Sequence, residues 1–318
     1  MKQVVGWGAL NMDRIIRVER ILVDGEAAIL EQLPPLPGGS AANTIAALAR
    51  LGVKTGFLGA VGDDEGGGML LDDFRSHGVD VSHIAVKNGW PTGAVLCLSD
   101  REGNRSLYVS PGANELLAVA DVDLEYLAEA EVVHLSSLSG SPQLQQQKAA
   151  VAALSDRVKV SFAPGALYVR WGWTELAPIL ERCHFLFLNQ DEITALTGQG
   201  LEAGARRCLE AGCQQVTVTL GAGIQVPGSS IPKGAYIATR DSQFFLDILP
   251  SPAGPVEATG AGDAFAAGFL FGYLNGRDLL SCGRLGMALA HLALSRPGAR
   301  VGLPTLSQLN SYLDSLPS

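Results

Sequence analysis

The sequence predicts a doubly wound α/β fold built on a mostly parallel sheet. Apolar, strand-like runs alternate with helical runs along most of the chain, and several of these runs are apolar throughout. Continuous apolarity is expected of strands that are covered by helices on both faces. The chain also has 38 glycines, many of them at the junctions between runs, which favours a fold with many tight turns. Sheets of this class bind ligands beyond the carboxyl ends of their strands.

The elements follow one another in a regular order. The predicted strands include Gln3–Gly8, Thr55–Ala60, Val132–Ser136, Val158–Phe162, Phe185–Leu188 and Gln215–Thr219. The predicted helices include 40–51, 65–76, 142–154, 190–197, 201–211, 261–275 and 278–295. This order predicts parallel strands joined by right-handed crossovers.

Two regions, 14–37 and 87–110, break the alternation. They contain short alternating segments separated by turn sequences, which are typical of β-hairpins. We therefore predict a single domain over 1–318 with a small β-sheet lid inserted in its N-terminal third. The edges of such a lid are surfaces at which two subunits can pair as a homodimer.

Composition excludes several classes of protein. The formal net charge is -9 and no basic run stands out, so nucleic acid is not an expected partner. The longest apolar stretches are about ten residues, about half of what a membrane-spanning helix needs. No G-x-x-x-x-G-K-[ST] motif is present. The five cysteines form no C-x-x-C pair, which favours reduced thiols and a cytoplasmic location.

The most informative motif is Gly260-Ala261-Gly262-Asp263, which opens an apolar helical run. Glycine lets backbone N–H groups approach an anion without a Cβ clash, and a helix start adds N–H groups that have no partner. Asp263 in the first turn would lie beside the anion, where a carboxylate can take a proton from an attacking hydroxyl. The same motif also fits an ordinary helix N-terminus with a favourable acidic residue.

Other motifs at predicted strand ends carry polar groups. Asp13, just past the first strand, can accept hydrogen bonds from two adjacent hydroxyls, or can simply cap a turn. Gly38-Gly39-Ser40 opens a helix with Ser40 as the predicted N-cap. Asn43 in its first turn can point an amide into a cleft.

Two further segments are compatible with nucleotide chemistry. Asn189 and Glu192 share a face of a first helical turn, where one carboxylate can serve Mg²⁺ through water. The same pair fits a helix capping box. Thr219 and Gly221 end a strand with a glycine turn, which suits a nucleotide phosphate or an ordinary strand connection.

These motifs occur in a fixed order, and with them the whole chain resembles the ribokinase-like (PfkB-type) carbohydrate kinase family. The resemblance rests on Asn11-Met12-Asp13, Gly38-Gly39-Ser40-Ala41-Ala42-Asn43 with Ala49-Arg50-Leu51-Gly52, Val61-Gly62-Asp63-Asp64-Glu65-Gly66, Pro111-Gly112-Ala113-Asn114, Asn189-Gln190-Asp191-Glu192, Thr219-Leu220-Gly221 and Thr259-Gly260-Ala261-Gly262-Asp263. Each motif is weak alone, but their order along the chain is highly specific.

The resemblance implies an enzyme that moves the γ-phosphoryl of ATP to a primary hydroxyl of a small sugar-like substrate. Asp263 matches the family's general base, and Gly260, Ala261 and Gly262 match its anion hole. The other roles that the resemblance implies are substrate contacts at Asp13, Gly39 and Asn43, a substrate or phosphate contact at Arg105, magnesium and phosphate organisation at Asn189 and Glu192, and nucleotide contacts at Thr219 and Gly221.

The sequence departs from the family pattern at three places. Glu257-Ala258 stands where the family usually has Asp-Thr near a monovalent-cation loop, which leaves activation by K⁺ open. Gly221-Ala222-Gly223 is one residue shorter than the usual turn. Ser136-Ser137-Leu138 follows the third predicted strand where ribokinases carry a substrate-facing glutamate, which argues against ribose in particular.

Three alternatives remain open beside a sugar kinase, and one of them is a dehydrogenase. A nucleoside kinase of the same family would need an apolar pocket for the base near the lid, and Trp90, Tyr108 and Phe162 are the candidates for its walls. A non-catalytic regulator that binds sugar or nucleotide would bind its ligand without turnover. The intact run 260–263 favours an enzyme over the regulator.

Overall fold

The fold contains the predicted alternation of strands and helices, seen here in a computed structural model that describes residues 2–102, 104–249 and 259–316. The strands are β1 (Val4–Trp7), β2 (Asn11–Val18), β3 (Ile29–Gln32), β4 (Leu36–Gly38), β5 (Thr55–Gly62), β6 (Asp80–Lys87), β7 (Gly93–Ser99), β8 (Arg105–Ser110), β9 (Val132–Ser136), β10 (Lys159–Ala163), β11 (Cys183–Asn189), β12 (Gln215–Ile224), β13 (Lys233–Thr239) and β14 (Gln243–Asp247).

Helices connect most of these strands. They are α1 (Ser40–Arg50), α2 (Glu65–Ser76), α3 (Leu124–Ala128), α4 (Ser141–Ala153), α5 (Gly165–Val169), α6 (Trp173–Leu180), α7 (Gln190–Thr197), α8 (Leu201–Ala211), α9 (Ala261–Leu274), α10 (Leu279–Ala293) and α11 (Leu306–Ser315). Two 3-10 helices, Gly112–Leu116 and Val119–Asp121, lie between β8 and α3. The predicted strands and helices that lead to the motifs above are therefore present, with ends that differ by a few residues.

The large sheet has the order β14-β13-β12-β11-β10-β9-β1-β5-β6 within the described residues. Its strands are parallel from β6 to β12, and β13 and β14 add an antiparallel edge. β1 lies between β5 and β9, so the chain builds the sheet outwards in both directions from β1. The crevice beside β1 is therefore the switch point of the topology, where open α/β sheets bind ligands.

Helices cover both faces of this sheet. One apolar layer joins Trp7 and Val133 to residues of α4 and α6–α8, and the other joins Val4 and Val132 to residues of α1, α2 and α9–α11. Neighbouring residues of one strand thus enter opposite layers, as the pleat of a strand requires. Nearly all strand residues near the centre of the sheet are buried, which explains the continuous apolar runs.

A second, smaller sheet has the order β3-β2-β7-β8, and β4 pairs with the first residues of β2 on the same edge as β3. β2 begins at Asn11 and runs parallel to β7, so the predicted hairpin segments of both regions meet in one sheet. β7 and β8 form an antiparallel hairpin whose connection is held by Asp100, which accepts hydrogen bonds from Asn104.

The close contact between α9 and α10 orients the start of α9. A Cβ at Gly268 would lie 2.5 Å from the backbone oxygen of Leu285, so the two helix backbones approach at this glycine. Such an approach is possible only without a side chain. The interface fixes α9 under the large sheet and brings its first turn to the carboxyl ends of the strands.

Candidate active site

A cavity of about 790 Å³ lies beside the carboxyl end of β1, between the two sheets. Its walls come from the segments after β1 and β9, from the start of α1, from the small sheet and from the first turn of α9. The described residues that line it include Asn11, Asp13, Gly39, Ser40, Asn43, Arg105, Tyr108, Ser137, Ser139, Arg170, Thr259 and Asp263. Site residues from distant parts of the sequence therefore meet at the topological switch point.

Gly39 shapes the entry to α1. Its φ angle of 101° lies in the region that favours glycine, and a Cβ there would lie 2.1 Å from the backbone oxygen of Ala9. Gly39 is also the N-cap residue of α1, so the prediction that Ser40 caps this helix is wrong. Ser40 is the first residue of the helix, and its hydroxyl is directed to Asp263 instead.

Asp263 is held by three side chains of α1, two of them at its carboxylate. Ser40 Oγ donates to Asp263 Oδ1 at 2.7 Å, and Asn43 Nδ2 donates to Asp263 Oδ2 at 2.9 Å. Thr44 Oγ1 also donates to the backbone oxygen of Asp263 at 3.2 Å. The carboxylate is thus fixed in orientation while it lines the cavity.

The surroundings of Asp263 change its affinity for a proton. Burial raises the pKa of the Asp263 carboxyl above its ordinary value, and the hydrogen bonds from Ser40 and Asn43 and the charge of Arg300 partly oppose this. A carboxylate with a raised pKa is a stronger base than an exposed one. The site therefore holds a fixed and more basic carboxylate in the wall of a cavity.

Arg300 is a residue that the sequence did not single out. It is 7% exposed, and its Nε donates to Asn43 Oδ1 at 2.9 Å while its Nη2 donates to Gly38 O at 3.0 Å. Its Nη1 forms an ion pair with Asp73 Oδ2 at 2.5 Å. Arg300 lies behind the cavity wall and fixes Asn43, which in turn holds Asp263. No motif in the sequence marks this arginine, because its partners come from two distant segments, 38–43 and the one around Asp73.

Asp13, in β2, lies against Gly38 at the end of β4. It is 7% exposed, lines the cavity, and is so close to Gly38 that a Cβ there would lie 2.3 Å from its carboxyl group. Neighbouring Asn11 accepts a hydrogen bond from Asn114 Nδ2 at 3.0 Å. Asp13 is therefore held at the cavity wall by close backbone packing.

The first turn of α9 adjoins a second cavity of about 350 Å³. Ala261 and Gly262 line this smaller cavity together with Thr219 and Gly221, whereas Asp263 lines the larger one. No side chain caps the start of α9 among the described residues, so its first N–H groups are available to an anion. The first turn of α9 therefore borders both cavities.

Gly260 gives this turn its shape. Its φ angle is 80°, and a Cβ there would lie 2.6 Å from the Cβ of Ala299.

β12 continues to Ile224, with an irregular register after Thr219, so Gly221 lies inside the strand rather than in a connection that ends it. Its own φ angle is 56°.

Asn189 and Glu192 form the capping box of α7. Glu192 N donates to Asn189 Oδ1 at 2.8 Å, and Asn189 N donates to Glu192 Oε2 at 2.9 Å. Neither residue lines the two cavities described above. Burial raises the pKa of Glu192, and the negative charges of Asp263 and Asp191 raise it further. Glu192 is thus within electrostatic reach of Asp263.

Arg105 comes from the small sheet and reaches the start of α9. Its Nη2 donates to Thr259 Oγ1 at 2.6 Å.

Of the three aromatic residues considered for a base pocket, only Tyr108 lines the larger cavity; Phe162 is fully buried in the core. Glu257 and Ala258, on which the question of K⁺ depends, lie outside the described residues.

Known proteins resemble this chain over almost its whole length. Residues 1–306 match the family described as pfkB family carbohydrate kinase. The chain is 35% identical to an uncharacterized sugar kinase of Archaeoglobus fulgidus over 260 residues, which cover 81% of this chain and 98% of that protein. It is 32% identical to an ATP-dependent ribose-1-phosphate kinase of Halopiger xanaduensis over 316 residues, 98% of each protein.

Solved structures show the same fold. The structure of Arabidopsis thaliana ribokinase complexed with ribose and ATP is 26% identical in sequence and superposes with a TM-score of 0.84. The match covers 99% of this chain and 100% of that one.

No helix among the described residues has the length and apolar character needed to cross a membrane.

Proposed function

The chain belongs to the PfkB family of carbohydrate kinases, and from this we propose that it transfers the γ-phosphoryl of ATP to a primary hydroxyl of a sugar or sugar-like substrate. The observation that carries the proposal is the position of the first turn of α9 between the two cavities. A phosphoryl group at this turn can be reached from one side by an acceptor and from the other by a nucleotide.

We assign the larger cavity to the acceptor. Asp13 and Asn43 offer the acceptor polar groups, and Gly39 brings the α1 backbone to the cavity wall. Asp263 takes the proton from the acceptor hydroxyl as that oxygen attacks phosphorus. Its raised pKa suits this role, and a well-placed general base contributes typically ~10²–10⁴-fold to the rate.

We assign the smaller cavity to the nucleotide. Thr219 and Gly221 lie on its floor, and the N–H groups at Ala261 and Gly262 form the anion hole with the turn at Gly260. The helix dipole adds to the stabilisation of negative charge at this point. Donors that are already in place when charge develops lower the barrier without reorganisation.

The residues near the transfer point fit a magnesium ion that is held mainly by phosphates. Mg²⁺ prefers oxygen ligands, keeps several waters and needs only one or two protein carboxylates. Among the described residues, no cluster of three acidic, histidine or cysteine side chains could hold a metal by itself. Glu192, with Asn189 fixing its orientation, would hold the ion through water. When bound with ATP, the ion neutralises charge on the phosphates.

We further propose that the small sheet acts as a lid. Val95, Arg105 and Tyr108 of this sheet line the acceptor cavity, so closure of the sheet would exclude water from the transfer point. Its outer strands β3 and β8 have unpaired edges within the described residues and carry exposed apolar side chains, Ile29 and Leu107 among them. This is the surface at which we propose that two chains pair.

Release of ADP tests the proposed function. Wild-type protein is incubated with ATP and Mg²⁺ and with a panel of sugars, sugar acids, sugar phosphates and nucleosides. We expect one class of acceptor to raise ADP release well above the rate without acceptor. Release with nucleosides alone would favour a nucleoside kinase, and binding of ligands without any ADP release would contradict the kinase and favour a regulator.

Glu192→Gln tests the assignment of magnesium. Glutamine can still accept the hydrogen bond from Asn189 N, so α7 keeps its cap while the charge is lost. We expect the Mg²⁺ concentration at half-maximal rate to rise roughly tenfold to a hundredfold. Glu210→Gln, which removes an exposed charge of α8, is the matched control. An unchanged Mg²⁺ dependence in Glu192→Gln would rule out this role.

A further inference from the structure

One wall of the acceptor cavity carries a guanidinium group and two hydroxyl groups. It is formed by Ser137 and Ser139, which follow β9, and by Arg170, which follows α5. A Cβ at Gly165 would lie 3.5 Å from Ser137 Oγ, so the segment after β9 and the start of α5 are in contact. These two segments make one continuous part of the cavity surface.

The donors of this wall are not used by the protein. Among the residues that the structure describes, no carboxylate lies within 4.0 Å of the Arg170 guanidinium, and the side chain is exposed. The hydroxyls of Ser137 and Ser139 are half-buried and make no hydrogen bond within the same part of the chain. An arginine is always charged and presents five N–H donors in a plane. The wall therefore offers positive charge and donors to whatever enters the cavity.

The carboxylates that line the cavity lie outside this wall. Within the described lining, the carboxylates are Asp13 and Asp263, and the charge of Arg300 acts on both. Asp263 is already bonded to Ser40 and Asn43. A neutral sugar presents hydroxyls that both donate and accept, whereas an oxyanion only accepts and gains from a guanidinium. The wall at Arg170 thus complements an oxyanion better than a neutral hydroxyl face.

Arg105, the other arginine in the lining of this cavity, is not placed to bind an oxyanion of the acceptor. Its guanidinium donates to Thr259 beside the first turn of α9, which places it at the phosphoryl end of the cavity. Arg170 is therefore the cation that remains for the acceptor itself. The cavity volume of about 790 Å³ is large enough for a monosaccharide with a charged substituent.

From these observations, and resting on the proposed function, we infer that the acceptor is a sugar that carries an oxyanion, a phosphate ester or a carboxylate, bound by Arg170 with Ser137 and Ser139. A guanidinium can bind either anion through two parallel hydrogen bonds, and the two hydroxyls supply donors for the remaining oxygens. Arg170 is in this sense a residue that determines specificity.

The test compares matched acceptors with the whole protein. ADP release is measured with a pentose and a hexose, each as the neutral sugar, the monophosphate and the corresponding sugar acid. We expect kcat/KM to be at least about tenfold higher for one anionic form than for the neutral sugar, since one hydrogen bond to a charged group contributes roughly 1.5–3 kcal/mol. Preference for the monophosphate or for the acid then identifies the anion.

Substitution Arg170→Gln provides a second test, beside the comparison of acceptors. This variant should lower kcat/KM for the anionic acceptor by about 10–100-fold, mainly through KM, and any loss with the neutral form of the same sugar should be at least about tenfold smaller. Arg284→Gln, at an exposed position of α10, is the matched control. A neutral sugar as the best acceptor, or an Arg170→Gln variant with wild-type KM for the anion, overturns the inference while the kinase stands. Absence of ADP release with every acceptor overturns the kinase and the inference together.

Discussion

Asp263→Asn is expected to lower kcat by at least about a hundredfold while ATP affinity changes by no more than a few-fold. The amide has the shape of the carboxyl group but cannot take a proton from the acceptor. Ser40 and Asn43 still surround it, so the geometry of the first turn of α9 is kept. Single-turnover rates with ATP and the best acceptor, together with ATP binding by calorimetry, measure the two effects separately.

The same substitution should not weaken the fold. Because burial raises the pKa of Asp263, the folded state binds a proton more readily than the unfolded state between the ordinary pKa and the raised one. Its ionised form therefore opposes folding above the raised pKa, and a neutral asparagine removes this cost. We expect the midpoint of thermal unfolding at neutral pH to stay the same or rise, which separates loss of activity from loss of structure.

The raised pKa also fixes the sign of the pH dependence. The base works only when it is ionised, so kcat should fall as the pH falls through a value above that of an ordinary aspartate. Asp314→Asn, an exposed position in α11, is the matched control and should keep wild-type kcat and pH profile. Near-normal turnover in Asp263→Asn would remove Asp263 from the role of base.

Arg300→Met is expected to give the largest loss of stability, about 3–5 kcal/mol. The substitution leaves Asp73 without its arginine partner and Asn43 and Gly38 without a donor. The loss is costly because the Asp73 carboxylate, whose side chain is 21% exposed, stays partly buried without that charge, and two buried oxygens lose their donor. Activity should fall as well, since Asn43 then loses the contact that orients it towards Asp263. Urea unfolding and initial rates at saturating substrate measure the two losses.

A double-mutant cycle with Asp73→Asn tests the physical reason. If the ion pair carries the effect, the double variant should be more stable than the sum of the single losses predicts, by at least about 0.5 kcal/mol. Arg284→Met, at an exposed position of α10, controls for the change of side chain and should be within ±0.5 kcal/mol of wild type. Equal stability of Arg300→Met and the wild type would contradict a structural role for this arginine.

The large sheet was predictable because the apolar sequences of its central strands reflect their burial. β5 and β9 are buried along their whole length, and their runs of apolar residues and glycine, 56–62 and 132–133, are typical of strands inside a sheet. The edge strands were not predicted. β14 has only three apolar residues in a row, and so short a run does not identify a strand. An edge strand has a neighbouring strand on one side only, so more of its surface stays exposed.

The candidate site was partly predictable for a related reason. Asp263, Asn43 and Asp13 follow strands or open helices, and such positions meet at one edge of a parallel sheet. Arg300 and the hydroxyl of Ser40 act through contacts with residues more than two hundred positions away, which no local pattern encodes. The roles of the site residues, the lid, the homodimer, activation by K⁺ and the cytoplasmic location stay predictions.

The shared turn at the start of α9 has a consequence for inhibition. Because Gly262 and Asp263 are adjacent in the chain yet line different cavities, the two cavities meet at the first turn of α9. A compound that joins a sugar to adenosine through a short phosphate chain would occupy both cavities at once, and tethering would replace a second bimolecular encounter by an intramolecular one. Such a bisubstrate compound would contact both cavities, whereas each ligand alone contacts one.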